Sequence, residues 1–232
     1  MLKLLLFAIL LVCIPASPVA GAAGFVHYPT QNFGVAQVQG HPVYVSPVAN
    51  PILLKRALLK LDADLAKIHR LLPPSASAKL ATIPFWIEEN NPSVACMTYH
   101  PSEGWLRQNG FNPDKARGIE IGSLRNFLDW QVDQPFIVLH EMSHAFHDIV
   151  LGFDHVAVRW AYDLALAGKS YEAVPHVNGR RQRAYALTNP TEYFAEISEA
   201  YWGRNDFYPF HRAQLRTFDP AGFAMVEKMW LE

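Results

Sequence analysis

Residues 136–151 constrain this chain more than any other stretch. Phe136, Ile137, Val138, Leu139, Met142, Phe146, Ile149 and Leu151 give a helix that is apolar almost all round. Such a helix is stable only when covered on every side. Asp133-Gln134-Pro135 is a helix-start signature and Gly152 a stop, so one helix is expected between them. The rest of the chain must therefore build a core around it. Composition allows this, since 50% of the 232 residues are hydrophobic and only 18% are charged, unlike a disordered chain. A formal charge of -1 supplies no basic field for nucleic acid or anionic lipid, so neither is an expected partner. No glycine period, long heptad run or internal repeat is present.

The first residues read as a targeting segment. Met1-Leu2-Lys3 is a short basic start, Leu4 to Ile14 is apolar apart from Cys13, and the small residues end in Ala20-Gly21-Ala22. That is the order of a secretory signal. The apolar run is shorter than the roughly 20 residues that span a bilayer. The expectation is a signal peptide at 1–22 and one soluble, secreted or periplasmic domain at 23–232, with no stable membrane insertion. An uncleaved anchor or a buried first strand is the other reading. After cleavage Cys96 is the one cysteine left. Stability must then come from the core, which about 210 residues can supply.

Val35–Val38 and Val43–Val45 flank Gly40-His41-Pro42 as a hairpin. Leu54, Leu58, Leu61, Leu65, Ile68 and Leu72 make an amphipathic stripe that ends at Pro73-Pro74. Strands are expected at 83–87, 95–99 and 118–122, and mainly helices from Leu124 onward. Asn189-Pro190 and Asp219-Pro220 mark helix starts. This order predicts an α+β domain, with a small β-rich N-terminal part and a mainly helical C-terminal half.

The buried helix carries His140-Glu141-Met142-Ser143-His144. Residues i and i+4 share a helix face, so both imidazoles can reach one metal ion, for which zinc is the expected cofactor. Glu141 is offset by one residue, where it can take a proton from the metal-activated water. A catalytic zinc needs a third protein ligand. His147 lies further along the same helix and cannot close a tetrahedron with the other two. Glu192 is the best candidate, although Asn189-x-x-Glu192 is also a capping box. Glu196, one turn on, is placed to accept the free N–H of a ligating histidine. Glu199 reads as a solvated or core-edge carboxylate.

His140-Glu141-x-x-His144 followed by Thr188-Asn189-x-x-Glu192-Tyr193-Phe194-Ala195-Glu196 resembles the catalytic domain of anthrax-lethal-factor-like metalloproteases. These are gluzincins, whose third zinc ligand is a glutamate on a later helix. The resemblance covers roughly 133–202 and implies a zincin-like fold, peptide or protein substrates, and Glu192 as ligand. It also implies that Tyr185, seven residues before that glutamate, stabilises the developing oxyanion. Ser143 stands where the relative has glycine, and His147 is a further departure. In gluzincins an edge strand pairs with extended substrate, and Gly118–Gly122 is the candidate here, an ordinary sheet strand being the equal alternative. Arg180, Arg181 and Arg183 read as a solvated loop or as contacts for acidic substrates.

The leading expectation is an exported zinc-dependent peptidase. A second reading makes Cys96 the third ligand, as in peptide deformylases. A third is a secreted zinc-containing binding or structural protein without peptidase activity.

Overall fold

The computed structural model describes residues 25–231; the expected signal at 1–22 lies outside them. In chain order the elements are β1 (Gly34–Val38), β2 (His41–Val45), α1 (Pro51–Leu71), α2 (Pro74–Leu80), β3 (Phe85–Ile87), β4 (Met97–Tyr99), α3 (Glu103–Gln108), β5 (Ile119–Ile121), α4 (Leu124–Asp129), α5 (Ile137–Phe146), α6 (Val156–Gly168), β6 (Val174–Pro175), β7 (Arg181–Gln182), α7 (Pro190–Trp202), α8 (Arg212–Phe218) and α9 (Pro220–Met229). The fold is mixed α/β, with α1–α3 interleaved among β1–β5 and mainly helices from α4 onward. It divides into two compact units, one reaching Asp62 and resuming at Thr82–Leu128, the other comprising Ala63–Ala81 and the chain from Asp129. The first crossing falls inside α1, which is why no linker shows in the sequence.

The first unit holds a five-stranded sheet of order β1-β2-β3-β5-β4. β2, β3 and β5 are parallel, with β1 and β4 antiparallel on the two sides. The β1–β2 hairpin turns through Gln39 and Gly40 at φ 50° and 88°. Two successive positive φ values match the twist of the flanking strands. His41 and Pro42, expected in the turn, are therefore already in β2.

The edge-strand expectation for Gly118–Gly122 fails, because β5 is paired on both sides. A Cβ on Gly118 would lie 2.9 Å from Trp86 Nε1, and one on Gly122 would lie 2.2 Å from the Val94 carbonyl oxygen. The two glycines thus mark close packing around an interior strand. Glu120, the central residue of this strand, is fully buried. It accepts from Asn91 Nδ2 at 2.6 Å, meets His100 Nε2 at 2.7 Å, and lies 3.0 Å from Lys115 Nζ. Lys115 is itself buried and 2.7 Å from Glu88. Burial alone would raise the Glu120 carboxyl, but His100 and Lys115 outweigh it and push it down to about 2.

The second unit is helical apart from the short β6–β7 hairpin. Leu65, Ile68 and Leu72 of the predicted stripe are buried. α2 begins directly at Pro74, whose missing N–H costs nothing at a first helical position. α7 is the central element, buried from Tyr193 through Tyr201. The Phe146 ring stacks on Trp230 at 4.2 Å, and Trp230 Nε1 donates to Ser198 Oγ at 2.9 Å. Asp219 caps α9 by accepting from the Gly222 N–H at 2.8 Å. Its other oxygen accepts from Tyr171 at 3.0 Å and Tyr193 at 2.5 Å. That junction ties the first turn of α7 to the start of α9. Among the described residues, no helix is long and apolar enough to cross a membrane.

Candidate active site

α5 starts later than the sequence suggests, at Ile137, with Phe136 in the cap position and no side-chain cap. Gln134, read as part of the start signature, instead donates from Nε2 to Asp206 Oδ2 at 3.1 Å. The α-helix ends at Phe146, and residues His147–Leu151 form a π-helical turn closed by Gly152 at φ 79°. The single straight helix expected through to Gly152 is therefore interrupted just past the histidine pair. Ile149 emerges to solvent there.

Upstream of the interruption His140 and His144 lie on one face of α5. The His140 and His144 rings lie edge to face, 4.8 Å between centroids. α7 brings Glu192 to them. Asn189 Oδ1 accepts from the N–H groups of Thr191 and Glu192, each at 2.9 Å, and so caps the helix. This is the first half of the capping box. The Glu192 carboxylate turns to the imidazoles, with Oε2 3.1 Å from His140 Nε2 and 3.2 Å from His144 Nε2.

Two ring nitrogens aimed at one carboxylate oxygen share it through N–H protons or through a cation between them. Zinc bonds of about 2.0–2.1 Å at tetrahedral angles separate ligand atoms by about 3.3 Å. The measured separations are close to that edge, and the three ligand atoms all lie within 4.8 Å of one another. Two imidazoles and one carboxylate are also a donor set suited to zinc. The residues fit the metal that the motif implies.

His140 and Glu192 are each shifted from their ordinary pKa by burial and by their neighbours. Burial alone would raise the Glu192 carboxyl, yet hydrogen bonds from both histidines hold it well below the usual carboxylate range. His140 is opposed by burial and still raised well above an ordinary histidine by Glu192 and Glu199. Burial pushes Glu199 up to about 7 against the pull of His140. Glu196 is raised by burial, then by Glu199 and Asp206.

The partner expected for the far side of His140 is corrected. Glu199 Oε1 lies 2.7 Å from His140 Nδ1, whereas Glu196 Oε1 lies 3.7 Å away. Glu196 instead accepts from Asn205 Nδ2 at 3.1 Å. Glu199 is buried, not solvated. A signal was available: Glu192, Glu196 and Glu199 fall at i, i+4 and i+7, one stripe of carboxylates on an otherwise apolar helix.

Glu141 is nearly buried beside the ligand pair, on α5. Tyr185 opens a 3₁₀ turn before α7, is 47% exposed, and sits with its ring 6.4 Å from that of His140. Burial, then the Glu192 charge, raises its phenol, so the group remains an O–H donor. Cys96 is buried and belongs to neither group of side chains able to hold a metal among the described residues, His140/His144/Glu192 and His140/Glu196/Glu199. Two of the three loop arginines are engaged locally. Arg181 donates to the Ala173 carbonyl, and Arg183 donates to the Leu187 carbonyl at 2.9 Å and pairs with Glu172 at 3.2 Å. Arg180 is exposed.

Compared with known proteins, the chain matches no family model, and no curated protein or solved structure is significantly similar to it.

Proposed function

We propose that this chain is an exported, zinc-dependent peptidase with a zincin-like fold of the gluzincin type, with His140, His144 and Glu192 as its metal ligands. The observation that carries this reading is the meeting of His140 Nε2, His144 Nε2 and Glu192 Oε2 at 3.1 and 3.2 Å around one point. Zinc held by these three residues would supply Lewis-acid chemistry, polarising a scissile carbonyl and lowering the pKa of water. Glu141 takes the proton of the attacking water and returns it to the leaving amine. Its position one residue from His140 keeps its carboxylate beside the ligands and out of their set. Tyr185, still protonated, donates its O–H to the oxyanion as charge develops. The low exposure of Glu141, Glu196 and Glu199 keeps the surroundings of the ligands dry, which strengthens each of these interactions.

The test is zinc stoichiometry and peptide-library cleavage measured on the same samples of wild type, Glu192→Ala and Glu141→Gln. The expected result is one zinc per chain with chelator-sensitive cleavage in wild type. Glu192→Ala should bind zinc weakly, and Glu141→Gln should keep zinc but lose turnover. Zinc without any cleavage would favour a secreted zinc-containing binding protein. Wild-type turnover in Glu141→Gln would refute the assigned base.

A further inference from the structure

We infer that Glu199, seven residues beyond Glu192, is the positioning residue that holds His140 in place for the metal, while Glu196 is committed to the loop after α7. This rests on the metal-site reading above. When His140 ligates through Nε2, its Nδ1 carries the proton, and a buried N–H needs an acceptor. Glu199 Oε1 lies at 2.7 Å from that nitrogen, a normal hydrogen-bond distance, whereas Glu196 Oε1 at 3.7 Å is beyond one. Glu196 spends its other oxygen on Asn205 Nδ2 at 3.1 Å, and Asn205 in turn donates its backbone N–H to the Phe210 carbonyl at 3.0 Å. Its bond therefore secures the segment that follows Gly203.

α7 thus grips one imidazole at both ends. Glu192, in the first turn, faces Nε2, and Glu199, two turns later, faces Nδ1. Seven residues are almost two full helical turns, so the two carboxylates share a face and the ring lies between them along α7. Glu199 lies within the stretch of α7 that is buried from Tyr193 through Tyr201, so its carboxylate cannot swing far. A charged acceptor at Nδ1 fixes the tautomer, fixes the ring plane and raises the basicity of Nε2 as a ligand.

The experiment uses the full mature chain. Zinc affinity is measured by competition with a chromophoric chelator for wild type, Glu199→Ala, Glu199→Gln and Glu196→Gln. Side-chain ¹H–¹⁵N spectra of the zinc-loaded proteins report the His140 Nδ1–H. Loss of the carboxylate in Glu199→Ala should weaken zinc binding about 10–100-fold. Glu199→Gln, whose amide oxygen still accepts, should recover part of that loss, and the Nδ1–H resonance should move upfield in both variants. Glu196→Gln should bind zinc within about threefold of wild type, with the resonance in place. If Glu199→Ala fails to fold, the resonance in Glu199→Gln decides alone. An unmoved resonance in Glu199→Gln, or a larger loss of zinc in Glu196→Gln, overturns the inference while leaving the metal site standing. Wild type that takes up no zinc overturns both.

Discussion

His147 begins the π-helical turn that follows α5 and is fully buried, its ring against Phe153 and Phe194 at 5.2 and 4.9 Å. Neither ring nitrogen has a hydrogen-bond partner among the described residues. Burial, with smaller contributions from His144 and His155, lowers its pKa from 6.5 to about 4. The folded protein therefore holds His147 neutral, while the unfolded chain protonates it near 6.5. Its contribution to stability is fully present above pH 6.5 and is lost as pH falls toward 4. A difference of about 2.5 pKa units corresponds to about 3 kcal/mol once pH is below both values, and to about 2 kcal/mol at pH 5. His147→Leu keeps a similar volume and removes the titrating ring. Unfolding by urea in excess chelator, at pH 7.5 and 5.0, isolates this group as the wild-type minus variant difference. The variant should match or exceed wild type at pH 7.5, since two unpartnered nitrogens are removed. It should gain about 2 kcal/mol relative to wild type at pH 5.0. A difference that stays constant within about 0.5 kcal/mol across that range would refute the buried neutral imidazole.

Other substitutions test separate parts of the molecule. Gly222→Ala should destabilise by about 2–3 kcal/mol in chemical denaturation, because the added Cβ would meet Asp219 Oδ2 and Tyr193 Oη at 2.4 Å. Lys115→Met should cost about 3–5 kcal/mol in the same assay, since Glu88 would be left buried without its cation and Glu120 with His100 and Asn91 alone; a cost below about 1 kcal/mol would mean the cluster is not holding charge. Asn189→Ala should lose about 1 kcal/mol of stability through the missing cap. It should also weaken zinc binding, because the same turn presents Glu192, whereas Asn189→Asp should retain both properties.

Patterns repeated along one element were legible without coordinates. The leucine stripe of α1 follows from the 3.6-residue period, and Asn189-Pro190 and Asp219-Pro220 mark helix starts because a side-chain acceptor precedes a residue with no N–H to satisfy. The pairing of His140 with His144 and the offset of Glu141 are fixed by the same geometry inside a single helix.

What escaped the sequence depended on a second element arriving at a particular height or depth. Glu196 and Glu199 both lie on the correct face of α7, and only the packing of α7 on α5 decides which carboxylate meets His140 Nδ1. β5 is short and bounded by glycines, as an edge strand can be, but Lys115 pairs with Glu120 and His100 hydrogen-bonds it, which allows the strand to be interior. The break at Phe146 leaves no trace in local propensity, because the π-helical turn runs through residues that would also suit an α-helix. Local sequence thus determined which side chains each helix offers. The tertiary structure decided which of them meet, because differences of about one ångström, such as 2.7 against 3.7 Å at His140 Nδ1, are set by all the residues packed behind the two groups.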